Sequence, residues 1–334
     1  MATTDTIGRL GVLIGGALLA LALGVVLFGV VPAETALGTV EVVLIAAVFL
    51  GGLTLAGRIA GRLFPGHNVA EVTVEGAITE SSSGGGPGPI PGGDSAVSGD
   101  IVEQIERADR DSNVEALILD MNTPGGEVVA SEDIRHAAEQ FDGPTVAYAT
   151  GLCASGGMWI ASGCDEFHAR RGSQIGSIGV IGANFGAQEL LEKVGLEYRR
   201  FVAGDFKDTP SQFRDLREEE YDYFQGLLDD WYEQFVDTVV EGRGLDPEAV
   251  RETEARVYIG TEAEERGLVD TLGPRDEMES NLAAELGVGE IRVREFEPDR
   301  GLQDRLGVAA LAVAGAFGRG AASVLVDDGP SGRV

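Results

Sequence analysis

The chain has 334 residues and carries 55 acidic against 25 basic side chains, a formal net charge of −30. That surface speaks against a nucleic-acid binder, which needs clustered Lys and Arg against phosphate. Two cysteines (Cys153, Cys164) and three scattered histidines (His67, His136, His168) supply neither a disulfide framework nor a zinc-ligand set, so no metal and no cofactor are expected.

The first element is an uncharged run at 10–31, LGVLIGGALLALALGVVLFGVV. It is long enough for a bilayer, which takes about 20 residues, and longer than the roughly 7–15 of a cleaved signal peptide. The segment PAETA that follows can imitate a cleavage site, so removal of the run stays open. A second apolar run, 37–57, has Glu41 near its start; a buried helix of a soluble protein is the alternative for it. Read together, the runs form a helical hairpin with a short turn at 32–36. Arg9 precedes it, Arg58 and Arg62 follow it, and the turn carries Glu34 and no basic residue. The positive-inside rule then puts both ends, and the rest of the chain, in the cytoplasm. Residues 1–63 thus read as a multi-pass anchor in the cell membrane, in contact with its lipid.

A domain is expected over 70–300. AEVTVEGAIT alternates as a strand does, and ESSSGGGPGPIPGGDS at 80–95 is a Gly/Pro/Ser loop that cannot pack a core. A helical pattern (Ile101, Ile105) leads to the strand EALILDM, the tight loop NTPGG, a helix over about 127–141 and the strand PTVAYA. This βαβα rhythm predicts a parallel sheet with covering helices, an α/β fold. A long helix is expected over about 210–241, where Phe224, Leu227, Leu228, Trp231, Phe235 and Val239 make one apolar stripe for core packing. In the tail, 301–334, the apolar run at 306–318 is too short to span a bilayer; it either lies at the interface or docks on the domain.

Two glycine-rich turns carry the chemistry. NTPGGEV and CASGGMWIASG each follow a strand and lead into a helix, and two such turns side by side can form an oxyanion hole from backbone N–H groups. Ser155 stands in the second turn. A serine at a helix start is usually a cap; as a nucleophile it needs a base. His168 is the nearest histidine, in DEFHARRG, and no spacing favours it. Lysine is the other common base, with its ordinary pKa of about 10.4 lowered by desolvation. Of the 25 basic residues only Lys193 and Lys207 are lysines. Lys207 lies in AGDFKDTP between Asp205 and Asp208, which oppose a lowered pKa unless they point away, while Phe206 and Pro210 could wall it. From composition alone Lys207 reads as a surface lysine. Scarce lysine with abundant acid also predicts a halophilic protein, because self-repulsion is screened within about 3 Å at roughly 1 M salt.

The motifs NTPGG, ASGGMWIA, GSIGVIG, FKDTPSQFR and VYIGTEAEERGLVD resemble, in order and spacing, those of the SppA-type signal peptide peptidases over about residues 70–290. The resemblance implies a membrane serine peptidase of the ClpP/crotonase fold, built of repeated ββα units. It implies Ser155 as nucleophile, Lys207 as general base, and Ser177 as the serine that orients the lysine. Gly125 and Gly156 would supply the oxyanion hole. Gly126, Gly157, Ile178, Gly179 and Val180 would meet the peptide, the strand around 178–182 pairing with it by β-augmentation. It further implies hydrophobic peptide substrates such as signal-peptide remnants, and a ring-shaped homo-oligomer in which neighbours share each active site. Met158, Trp159 and Glu127 depart from the family pattern. A related protease acting on stomatin-like partners, a crotonase-like acyl-CoA enzyme and a non-catalytic membrane scaffold are the other readings.

Overall fold

A computed structural model describes residues 2–30, 39–64, 66–81 and 95–298. The chain divides into a unit at 1–296 and a second at 297–334, nearly all of which lies outside the described residues. The apolar run at 306–318, most of the loop at 80–95 and the turn at 32–36 are likewise outside them.

The apolar runs form α1 (Ala2–Val25), continued by a π-helical turn at Val26–Val30, and α2 (Thr39–Leu63). Segments Ile7–Phe28 and Val42–Gly61 are long and apolar enough to cross a membrane. Their sequence explains how they pair. A Cβ on Gly16 would stand 2.3 Å from Cβ of Ala56, and one on Gly52 would stand 2.1 Å from Cβ of Ala20. Small residues therefore let two antiparallel backbones approach, the packing device of helices in lipid. Large apolar side chains such as Leu18 and Leu19 point outward, 63% and 73% exposed.

The α/β unit begins with β1 (Val69–Glu75), β2 (Ala77–Thr79), β3 (Ser95–Val97) and α3 (Ser98–Asp109), then β4 (Ala116–Thr123) and α4 (Val128–Glu139). It goes on through β5 (Thr145–Ala154), α5 (Gly156–Ala161), β6 (Glu166–Ala169), β7 (Gln174–Gly176), α6 (Gln188–Lys193), α7 (Glu218–Arg243) and α8 (Pro247–Arg251). β8 (Val257–Ile259), α9 (Gly260–Glu265), β9 (Thr271–Leu272), α10 (Arg275–Glu285) and β10 (Val293–Glu295) complete it. The main sheet runs β10-β1-β4-β5-β6-β9, with every neighbouring pair parallel; β7 joins β5 in parallel, and β8 joins β7 antiparallel.

Both faces of this sheet are covered, so its central strands are apolar nearly throughout. On β4, Leu117, Leu119 and Met121 pack with α3, α4 and α5, while Ala116 and Ile118 pack with Met278 and Leu282 of α10. The expected α/β rhythm holds, with three differences. The strand read through AEVTVEGAIT breaks at Gly76 (φ 80), where the chain leaves the sheet as β2. The strand at PTVAYA runs on to Ala154, carrying the second glycine turn to its end. The long helix starts at Glu218 rather than near 210, because Arg214, Arg217 and Thr209 are drawn to the buried Glu220 carboxylate in the first turn.

Candidate active site

Parallel strands deliver their C-terminal ends to one edge of a sheet, and adjacent strands deliver them side by side. β4 and β5 are adjacent, so NTPGG and ASGG abut. A Cβ on Gly125 (φ 89) would lie 2.5 Å from the Gly156 nitrogen and 2.7 Å from Cβ of Ser155. No side chain fits there. The register of β4 on β5 shifts between Met121 and Thr123, where Asn122 Oδ1 accepts the Leu152 N–H at 3.2 Å. Such an irregularity re-aims the strand end.

Ser155 leaves β5 with φ 52 and ψ −118, held by its N–H to Gly176 O at 2.9 Å and by Trp159 N–H to its own carbonyl at 3.0 Å. Ser177 (φ 54) follows β7, and its N–H donates to Arg256 O at 2.9 Å. A side-chain-bearing residue in this region is strained, and strain of this kind gathers at functional sites. Both serines, with Gly126, Gly156, Gly179 and Val180, line a cavity of about 480 Å³. Its apolar wall comes from Trp159, Trp231 and Phe235. Trp159 packs on Phe235 with the rings tilted by 45° and their centroids 4.9 Å apart, and its indole N–H donates to Glu132 Oε2 at 2.6 Å.

The donors at the turn are not equivalent. Gly125 N–H already donates to Thr123 Oγ1 at 3.0 Å, whose hydroxyl donates to Gly76 O at 2.6 Å. Gly126 lines the cavity beside Gly156. β2 crosses directly over it: a Cβ there would sit 2.0 Å from Ile78 O, and Glu127 N–H donates to that same oxygen at 3.0 Å. Glu127, the acid that departs from the family pattern, turns its carboxylate to the Glu80 N–H at 2.8 Å. It lines the cavity with Ser155, and this hydrogen bond ties its carboxylate to the start of the 80–95 loop.

Other expected residues stand elsewhere. Gly157 and Ile178 are buried and do not line the cavity. The stretch expected as a strand at 178–182 has no regular structure; β7 ends at Gly176, and Ile181 is 92% exposed. His168 is buried on β6 with its ring on Glu166 Oε2 at 2.9 Å, apart from the cavity lining. Cys153 and Cys164 are buried, and burial pushes both thiols up, Cys164 to about 12. Among the described residues no group of His, Cys, Asp and Glu could hold a metal.

Lys207 lies outside the cavity, exposed on a turn whose Lys207 N–H reaches Gly204 O at 3.2 Å. Its chain neighbour Asp208 is taken by two arginines, Arg200 at 2.8 Å and Arg214 at 3.0 Å. The Arg214 hydrogen bond, then Arg200, holds the Asp208 carboxyl down at about 2. Arg214 also grips Glu220 at 2.6 Å, and Arg200 and Arg217 both donate to Asp205 O at 2.8 Å. Phe206 packs on Tyr223 with centroids 5.1 Å apart. The lysine turn is thus pinned by an arginine–carboxylate network. Ala255 was missed from the sequence. It lines the cavity in the left-handed region (φ 56) next to Glu254 (φ 49), and no glycine signals that turn.

The family model of peptidase family S49 matches residues 137–289. A Methanocaldococcus jannaschii protein carried under a protease name is 30% identical over 272 residues, covering 80% of this chain and 85% of its own. The chain belongs to peptidase family S49. These are the SppA-type serine peptidases. A Synechocystis protein, also under a protease name, is 41% identical over 165 residues, 48% of this chain and 60% of its own length. Protease 4 of Haemophilus influenzae is 30% identical over 216 residues, 63% of this chain and 34% of its own. The S49 chain therefore spans less than two thirds of these last two relatives. Among solved structures, 1510-N, a membrane-bound stomatin-specific protease, aligns at a TM-score of 0.43 with 17% identity, over 70% of this chain and 99% of that one; so low a score says nothing for the fold.

Proposed function

We propose that this S49 chain is a membrane-tethered endopeptidase of the ClpP/crotonase fold, which uses a Ser155–Lys207 dyad on hydrophobic peptides such as signal-peptide remnants. The observation that carries the reading is the abutment of the two glycine turns around Ser155, a strained serine at the mouth of an apolar-walled cavity. Lys207 takes the Ser155 proton, Oγ attacks the peptide carbonyl, and the oxyanion is met by backbone N–H groups. Gly126 and Gly156 suit that role better than Gly125, whose N–H is engaged by Thr123. Lysine protonates the leaving amine, then activates the water that releases the acyl group. Ser177 orients the lysine. The apolar wall of Trp159, Trp231 and Phe235 favours large apolar side chains.

Lys207 stands outside the cavity of its own chain, which supports a ring in which each lysine serves a neighbour's serine. Exposed Ile181, Phe185 and Phe201 (92%, 86% and 94%) would be covered in such an assembly. The test is Ser155→Ala and Lys207→Ala in an assay on an apolar peptide. Each variant is expected to lose activity by about a thousandfold or more while melting like the parent. Mixing the two restores part of the activity if the site is shared. Full activity in either single variant removes the dyad, and His168→Ala is expected to retain most activity.

A further inference from the structure

Arg9 and Arg58 stand at one end of the α1–α2 hairpin, and with Arg294 of β10 and His67 they line a cavity of about 690 Å³. Acids outnumber bases in this chain 55 to 25, and arginines of the α/β unit are typically matched to a carboxylate, as Arg243 is to Asp270 and Arg251 to Glu233. Arg9 and Arg58 have no hydrogen bond or ion pair among the described residues. The acid beside this cavity, Asp111, is already held by His67 at 2.9 Å and Arg294 at 3.4 Å. Among the described side chains at this cavity, three arginines stand against one aspartate, before any charge on His67. Gly66 lies beside the Arg9 guanidinium, where an added Cβ would make an ordinary contact of 3.5 Å with Nη1.

The same lining continues into Leu55 and Ile59, exposed apolar side chains of α2. A free anion would satisfy the guanidinium groups and leave that apolar flank bare. A phosphate with an acyl chain attached satisfies both, because planar guanidinium forks match phosphate oxygens and the chain lies along the helix. We propose that this cavity seats the phosphate headgroup of an anionic phospholipid, with Arg9 and Arg58 as its principal cations. The proposal rests on the reading of the hairpin as a membrane anchor.

The full chain would be relipidated into nanodiscs of phosphatidylcholine and phosphatidylglycerol in equal amounts, and the lipid it retains read by native mass spectrometry. Wild type is expected to retain phosphatidylglycerol preferentially. In R9Q/R58Q that preference falls by about tenfold or more, as loss of two cations near an anionic surface implies. In R199Q, far along the chain, it is unchanged. Equal retention of the two lipids by wild type, or undiminished preference in R9Q/R58Q, overturns the proposal. So does inorganic phosphate at millimolar concentration if, in phosphatidylcholine discs, it raises the melting temperature as much as phosphatidylglycerol does, for then the site takes a free anion. Release of the chain from membranes by alkaline carbonate would instead refute the anchor reading itself.

Discussion

Asp208 follows Lys207 in the chain, and a free carboxylate there would favour the ammonium form and weaken a base. Arg200 and Arg214 hold it instead. Other charges crowd the turn: Asp205, Arg217 with Glu219 and Glu220 from the start of α7, and the Tyr223 hydroxyl on the ring facing Phe206. Of these, only Asp208 is both adjacent to the lysine and double-clamped. On the proposed Ser155–Lys207 dyad, Arg214→Gln is therefore expected to move the acidic limb of the pH–rate profile to higher pH and to lower kcat/KM several-fold at pH 7. Adding Asp208→Asn should move the limb back. A profile unmoved in Arg214→Gln would show that Asp208 does not reach the lysine. The clamp also sets a stability window. A carboxyl held at about 2 against an ordinary 3.8 contributes stability that is complete above pH 4 and is lost as pH falls from there toward 2. Acid melts of the parent should show a larger loss across that window than those of Asp208→Asn, in which the lowered carboxyl of Glu220 remains.

At the scale of elements, β2 and the first glycine turn form one piece. Ile78 N–H donates to Gly125 O at 3.0 Å, and Ile78 O receives Glu127 N–H. Gly126 lies beneath that pairing with no room for a methyl group. Gly126→Ala is expected to cost about 2 kcal/mol or more and to abolish activity, because β2 must lift and the cavity rim with it. Gly99→Ala, on an open face of α3, is the matched control and should gain roughly 0.5–1 kcal/mol by helix propensity. Thermal melts of both variants check this; a neutral Gly126→Ala would mean the rim moves freely.

For the whole molecule, charge is the dominant property. At −30 the surface repels itself unless salt screens it. The melting temperature should climb between low and molar KCl; a higher value at low salt would refute the halophilic reading. The pinned arginine pairs work against that trend, since salt weakens exposed pairs, but Arg214 is only 17% exposed and is screened little.

By itself the sequence determined what is local. Two apolar stretches of bilayer length, the βαβα alternation, and the glycine turns at strand ends were all legible, because period and glycine placement encode them within a few residues. The position of Ser155 in the second glycine turn, at the end of β5, was also legible. The tertiary structure alone decided which groups face one another. Parallel pairing of β4 with β5 brings the two turns together across some thirty residues. β2 folding back over Gly126 leaves Gly125 N–H spent on Thr123. The pairing of Asp208 with Arg200 and Arg214 settles where its charge goes. Hydrogen bonds and side-chain direction depend on atoms distant in the chain, and spacing along a sequence does not carry that information.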